Sequence, residues 1–141
     1  MDLIQLVGTW RLVSFVARDP DGGESDTYGA EPRGVLMYDL GGRMSVHIAR
    51  ASRDALADAL EGYFGYFGRY SVDASAGIVT HHVEGASHPD FAGTDQRRLF
   101  TLQDERLVLS TAPDQSDGPA ITYVATWQRQ LQVTPSPIAC R

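Results

Sequence analysis

Tyr63-Phe64-Gly65-Tyr66-Phe67-Gly68-Arg69-Tyr70-Ser71-Val72 is followed by Asp73-Ala74-Ser75-Ala76-Gly77 and then by Ile78-Val79-Thr80-His81-His82-Val83-Glu84. The outer two runs are rich in aromatic and β-branched residues, which fit a pleated surface. The stretch between them carries turn chemistry. Two strands joined this way form a hairpin. The pattern continues through Gln96 to Leu102, Arg106 to Thr111 and Ile121 to Arg129. The breaks are Gln103-Asp104-Glu105 and the segment Pro113-Asp114-Gln115-Ser116-Asp117-Gly118-Pro119.

Upstream the same grammar holds. Gly8 to Val16 reads as a first strand, and a polar loop runs from Asp19 to Pro32. Gly34 to Asp39 and Met44 to Ile48 form a hairpin across Leu40-Gly41-Gly42-Arg43, where glycine supplies the positive φ of a tight turn. One helix is expected, Ser52 to Leu60, with Ser52 as its cap and Leu56 and Leu60 on one face, set beside the barrel as a lid or plug. The fold class is therefore all-β: roughly eight antiparallel strands in an up-and-down barrel, with one short helix. Such a barrel has room inside for side chains or one small ligand. Residues 1–130 form this domain, and 131–141, with Pro135 and Pro137, a flexible tail.

Composition narrows the function. The chain has 141 residues, enough to bury a core without metals or disulfides. Its net charge of −6 argues against nucleic acid and against anionic membranes. All 12 basic residues are Arg, so lysine Schiff-base chemistry and a Walker-type phosphate loop are excluded. The single Cys140 permits no internal disulfide. No signal peptide or membrane-spanning run is read, and a cytoplasmic location is the default.

Three stretches together resemble the bacterial lipocalin-like domain family: Gly8-Thr9-Trp10-Arg11-Leu12-Val13-Ser14-Phe15; Gly68-Arg69-Tyr70 through Val79-Thr80-His81-His82-Val83; and Gly93-Thr94-Asp95-Gln96-Arg97-Arg98 through Leu107-Val108-Leu109-Ser110-Thr111. Trp127-Gln128-Arg129 strengthens the likeness. The resemblance implies a closed barrel with a central pocket. It also implies that Trp10 closes the floor with Arg129 over its ring, a cation–π contact. It implies no single activity: barrels of this kind include carriers and cofactor-free cyclases or isomerases.

Strand alternation assigns the faces. His81 shares a face with Val79 and Val83, and His82 with Thr80 and Glu84. The apolar face is the inner one, so His81 is the cavity residue and a candidate acid or base. Its alternative is a structural buried histidine. His82 with Glu84 reads as a solvated pair. Tyr66 and Tyr70 share the inner face of their strand, able to stack on a ligand or pack as core. Arg69 points outward. Met44, Val46 and Ile48 face inward, which puts His47 outside or against the helix.

Arg98 shares a face with Phe100 and Leu102, and there it would anchor a carboxylate or an enolate oxygen. Ile121, Tyr123, Ala125 and Trp127 line the interior. Val13 and Phe15 fall on the outer face, where they meet the helix or a second subunit, making a homodimer one candidate assembly. The candidate catalytic residues are thus His81, Tyr70 and Arg98, and the candidate ligand contacts Tyr38, Tyr66, Phe100, Tyr123, Trp127 and Trp10. No metal is expected, because adjacent His81 and His82 diverge on a strand and no His-x-His or His-Glu-x-x-His pattern exists. No cofactor motif and no Gly-x-Ser-x-Gly elbow is present.

Two functions compete. One is binding of a small, largely apolar molecule in the barrel. The other is cofactor-free cyclisation or isomerisation in natural-product biosynthesis in the same cavity. A pure carrier predicts His and Arg outside the cavity; an enzyme predicts at least two ionisable groups converging within it. A third reading, an interaction barrel, predicts a filled interior and an exposed apolar patch.

Overall fold

A computed structural model describes residues 3–51, 62–112 and 121–130. A four-residue helix, Leu3–Leu6, leads into nine strands. These are β1 (Gly8–Arg18), β2 (Glu24–Asp26), β3 (Arg33–Tyr38), β4 (Arg43–Ala49), β5 (Tyr63–Asp73), β6 (Ile78–Ala86), β7 (Asp95–Gln103), β8 (Arg106–Thr111) and β9 (Thr122–Arg129). A 3₁₀ turn, Pro89–Phe91, sits between β6 and β7. The expected helix Ser52–Leu60 and the tail 131–141 lie outside the described residues.

Every pairing is antiparallel between neighbours in the order β1-β3-β4-β5-β6-β7-β8-β9, and β9 returns to β1. Closure removes both sheet edges, the standing weakness of an open sheet. The strand β2 is an addition to the eight. It pairs with the end of β1 through Val16, Ala17 and Arg18, inside what the sequence reads as a polar loop. Its residues Glu-Ser-Asp are all exposed, so no apolar alternation marks it.

The hairpins follow their turn chemistry. Between β3 and β4, Asp39 Oδ1 accepts from the Arg43 N–H at 2.8 Å while Gly42 takes φ +93°. Between β7 and β8, Asp104 and Glu105 occupy φ +52° and +67°. Both are non-glycine residues in the left-handed region, which a two-residue hairpin turn with this twist requires.

Two register shifts re-aim side chains. In β1, Leu12 pairs with Trp127 but Ser14 pairs with Thr126, leaving Val13 as an extra residue. This corrects the placement of Phe15 outside: the bulge reverses the alternation, and Phe15 lies inward opposite Ala125. In β6, Gly68 of β5 pairs with Val83 but Phe67 pairs with Gly85, so Glu84 is the extra residue.

The core fills the barrel from its floor. Trp10 is fully buried and its indole N–H donates to the Leu6 carbonyl at 3.0 Å. The Arg129 guanidinium lies 4.2 Å from the ring centroid and donates to the Val7 and Gln5 carbonyls at 2.7 and 2.6 Å. Leu12, Leu36, Val79, Leu107 and Trp127 build upward from there. Among the described residues His81 is the one buried side chain of polar or charged type, at 2 % exposure. No described helix is long and apolar enough to cross a membrane.

Candidate functional site

Above this floor the barrel holds a pocket of about 340 Å³. That lies at the lower end of the size range of small-molecule sites, about 300–1,000 Å³. Much of its wall is apolar: Leu36 from β3, Val46 and Ile48 from β4, Phe64 from β5, Leu109 from β8, Ala125 and Trp127 from β9. Phe15, Thr27, Tyr28, Phe91 and Tyr123 complete it, together with Thr111, Tyr66, His81 and Arg98. Several of these aromatics brace one another. Phe15 meets Tyr28 edge-on at 5.1 Å, Phe64 meets Phe91 edge-on at 5.0 Å, and Tyr66 stacks on Phe91 at 6.3 Å.

The polar part is concentrated on β6, β5 and β7. His81 sits between two tyrosines: its Nδ1 is 2.6 Å from the Tyr66 hydroxyl and its Nε2 is 2.6 Å from the Tyr38 hydroxyl. Both ring nitrogens are therefore engaged. Burial, then Arg98 and His82, lowers the imidazole pKa to about 3, so the ring is neutral at physiological pH. A neutral imidazole has one donor and one acceptor nitrogen, so one tyrosine donates to it and the other accepts from it. Burial raises the phenol pKa of Tyr66, with Arg98 opposing, and raises that of Tyr38 well above its usual value.

Arg98 reaches this cluster from β7. It donates to its neighbour's carbonyl, Arg97 O, at 3.0 Å and to Gln96 Oε1 at 3.4 Å. Among the described residues no carboxylate lies within ion-pair distance of it. Two buried polar atoms of wall residues also lack a partner among the described residues, the Trp127 indole nitrogen and the Thr27 hydroxyl.

The structure thus brings together His81, Tyr66, Arg98, Tyr123 and Trp127 of the residues named from sequence. Tyr38 stands behind His81 rather than on the wall. Three others are not among the described wall residues: Tyr70, named for catalysis, and Phe100 and Trp10, named as ligand contacts. Tyr70 faces inward, but its hydroxyl donates to the Asp39 carbonyl at 2.7 Å, below the pocket. Phe100 is buried in the core among its strand neighbours. Trp10 is consumed by the floor. On the outer surface, His82 pairs with Asp95 at 2.9 Å, not with Glu84, because the β6–β7 register sets Asp95 opposite it. Glu84 instead binds Arg43 at 2.8 Å. His47 is exposed and hydrogen-bonds the Tyr63 hydroxyl. No group of three or more metal-ligating side chains occurs among the described residues.

The wall residues that sequence reasoning missed are mainly Thr27, Tyr28 and Phe91, which come from irregular segments without strand alternation, and Phe15, displaced by the bulge.

An eight-strand antiparallel barrel, closed by a Trp–Arg floor and hollow above it, defines a lipocalin-type architecture. A family model described as a lipocalin-like domain matches residues 7–130, and the chain belongs to that family. Among curated proteins it is similar to the 4'-hydroxy-3'-methoxypropiophenone carrier protein ppsC of Aspergillus oryzae (strain ATCC 42149 / RIB 40). Identity is 32% over 88 residues, covering 57% of this chain and 79% of that protein.

Proposed function

We propose that the barrel binds a small, largely apolar molecule with one polar end and releases it unchanged. An aromatic ketone of the kind named for the relative fits the proportions of the pocket. The observation that carries this reading is the state of the ionisable cluster formed by the described wall residues. His81 has both nitrogens occupied and a pKa of about 3, and Tyr66 is raised, so neither is poised to exchange protons with a ligand near neutral pH.

One observation favours the second reading, a cofactor-free cyclase or isomerase. His81, Tyr66 and Arg98 converge on one pocket, as an enzyme requires. Convergence alone does not make a catalyst, because a general base needs a free lone pair and a matched pKa. Native mass spectrometry with a panel of aryl ketones tests the choice. The carrier reading predicts a one-to-one adduct that dissociates on denaturation and returns the starting compound by NMR. A rearranged isomer, lost in the His81→Ala protein, overturns it in favour of the enzyme.

A further inference from the structure

Among the described residues the pocket wall carries one fixed positive charge and no carboxylate. Its titratable groups are Tyr28, Tyr66, His81, Arg98 and Tyr123. Tyr38 and His82 flank His81, and Arg50 acts on Tyr28 from outside. Among the described wall residues Arg98 is the one that carries a fixed charge, since His81 is neutral. Of the five N–H donors on a guanidinium, two are held among the described residues, by Arg97 O and Gln96 Oε1.

The tautomer at His81 follows from where its two tyrosines stand. If Nε2 carried the hydrogen, Tyr38 would accept from it. The phenolic hydrogen of Tyr38, fully enclosed in the core, would then have no acceptor. If Nδ1 carries the hydrogen, Tyr38 donates to Nε2 and Tyr66 accepts from Nδ1. The Tyr66 hydrogen is then free, and Tyr66 is on the pocket wall. The second arrangement leaves neither the Tyr38 hydroxyl nor the His81 ring nitrogens unpaired. It presents a hydroxyl donor to the pocket beside Arg98.

We infer that the ligand is held as its conjugate base, with one anionic phenol or enol oxygen set against Arg98 and the Tyr66 hydroxyl. This rests on the binding function proposed above and specifies the chemistry of its ligand. Arg98 and the Tyr66 hydroxyl both offer donors to one oxygen, and an aromatic ketone of the kind proposed above ionises at a phenol or an enol. The unpartnered Trp127 indole N–H is another donor on the wall, and the apolar body of the ligand lies among Leu36, Phe64 and Trp127.

The test is a spectrophotometric pH titration of 4'-hydroxyacetophenone bound to the full chain, whose phenolate absorbs at longer wavelength than its phenol. The bound probe is expected to ionise about one unit or more below the free probe, the effect of an opposite charge within a few ångströms. The Arg98→Met protein, checked for fold by circular dichroism, is expected to bind the probe without that shift. The wild-type shift is decisive by itself if this variant does not fold. At a pH above the free probe's own ionisation, 4'-methoxyacetophenone, which cannot ionise, is expected to bind at least about tenfold more weakly. A bound probe whose ionisation is unmoved or raised overturns the inference but leaves the binding function standing. The same holds if 4-methoxybenzoate binds more tightly than the hydroxy ketone, which would assign the site to carboxylates. Failure of all three probes to bind would overturn the binding function and this inference with it.

Discussion

The Tyr66 hydroxyl lies 2.6 Å from Nδ1 of His81, and this contact joins the core of the barrel to its pocket. On one side of the imidazole stands Tyr38, wholly inside; on the other stands Tyr66, on the wall. Removing either hydroxyl therefore has a different consequence. Tyr38→Phe leaves the Nε2 lone pair buried without a donor, and it should lower unfolding free energy by about 1–3 kcal/mol in urea titrations. Tyr66→Phe removes the donor offered to the ligand. It should weaken ketone binding by about five- to tenfold, about 1 kcal/mol, with a smaller loss of stability.

The His81 imidazole makes stability depend on pH in a defined direction. Its pKa falls from 6.5 to about 3 on folding. Between those values the unfolded chain binds a proton that the folded chain does not, so stability rises with pH from about 3 to 6.5 and this contribution is constant above. The slope is at most about 1.4 kcal/mol per pH unit. Denaturant titrations at pH 4.5 and 7 should show it, and His81→Gln should flatten the difference between them.

Much of this arrangement is legible in the sequence, for a physical reason. A strand has period two, and a buried face shows as a run of apolar residues at every second position. Val79 and Val83 thus mark His81 as inward, and Met44, Val46 and Ile48 mark their face. The period carries information only while it is unbroken. One extra residue at Val13 returns Phe15 to the interior, and nothing in the local sequence announces it. Tyr38 and His81 are 43 residues apart, so their contact is a product of barrel closure rather than of spacing. Thr27, Tyr28 and Phe91 reach the pocket from irregular backbone, where no alternation exists to be read.

The floor is separable from the pocket. Arg129→Ala removes the contact over Trp10, two bonds to backbone carbonyls and the 2.7 Å ion pair with Glu105. It should cost about 2–3 kcal/mol, discounted for the partly exposed ion pair, with ligand affinity unchanged. Thermal unfolding monitored beside ligand titration checks both halves of that statement.

Gly68 tests the bulged pairing of β5 with β6. A Cβ there would stand 1.9 Å from the His82 carbonyl oxygen, and the atom in the way is backbone. Gly68→Ala should destabilise the barrel by about 3 kcal/mol or more in denaturant titration.

At the β7–β8 turn the backbone favours a different residue from the one present. Asp104 holds φ +52°, and the only interactions it forgoes on mutation are those of an exposed side chain. Asp104→Gly should raise stability by up to about 1 kcal/mol, read as a higher denaturation midpoint.

In the binding mode proposed above, a small molecule occupies the space above the Trp10 floor with its polar end at Tyr66 and Arg98. A crystal structure of the protein grown with 4'-hydroxyacetophenone tests it most directly. Density for the ring is expected among Leu36, Phe64 and Trp127, with an oxygen in hydrogen-bond reach of both the Tyr66 hydroxyl and the Arg98 guanidinium. Density for the compound on the outer face of the barrel, or a barrel interior closed by its own side chains, would contradict it.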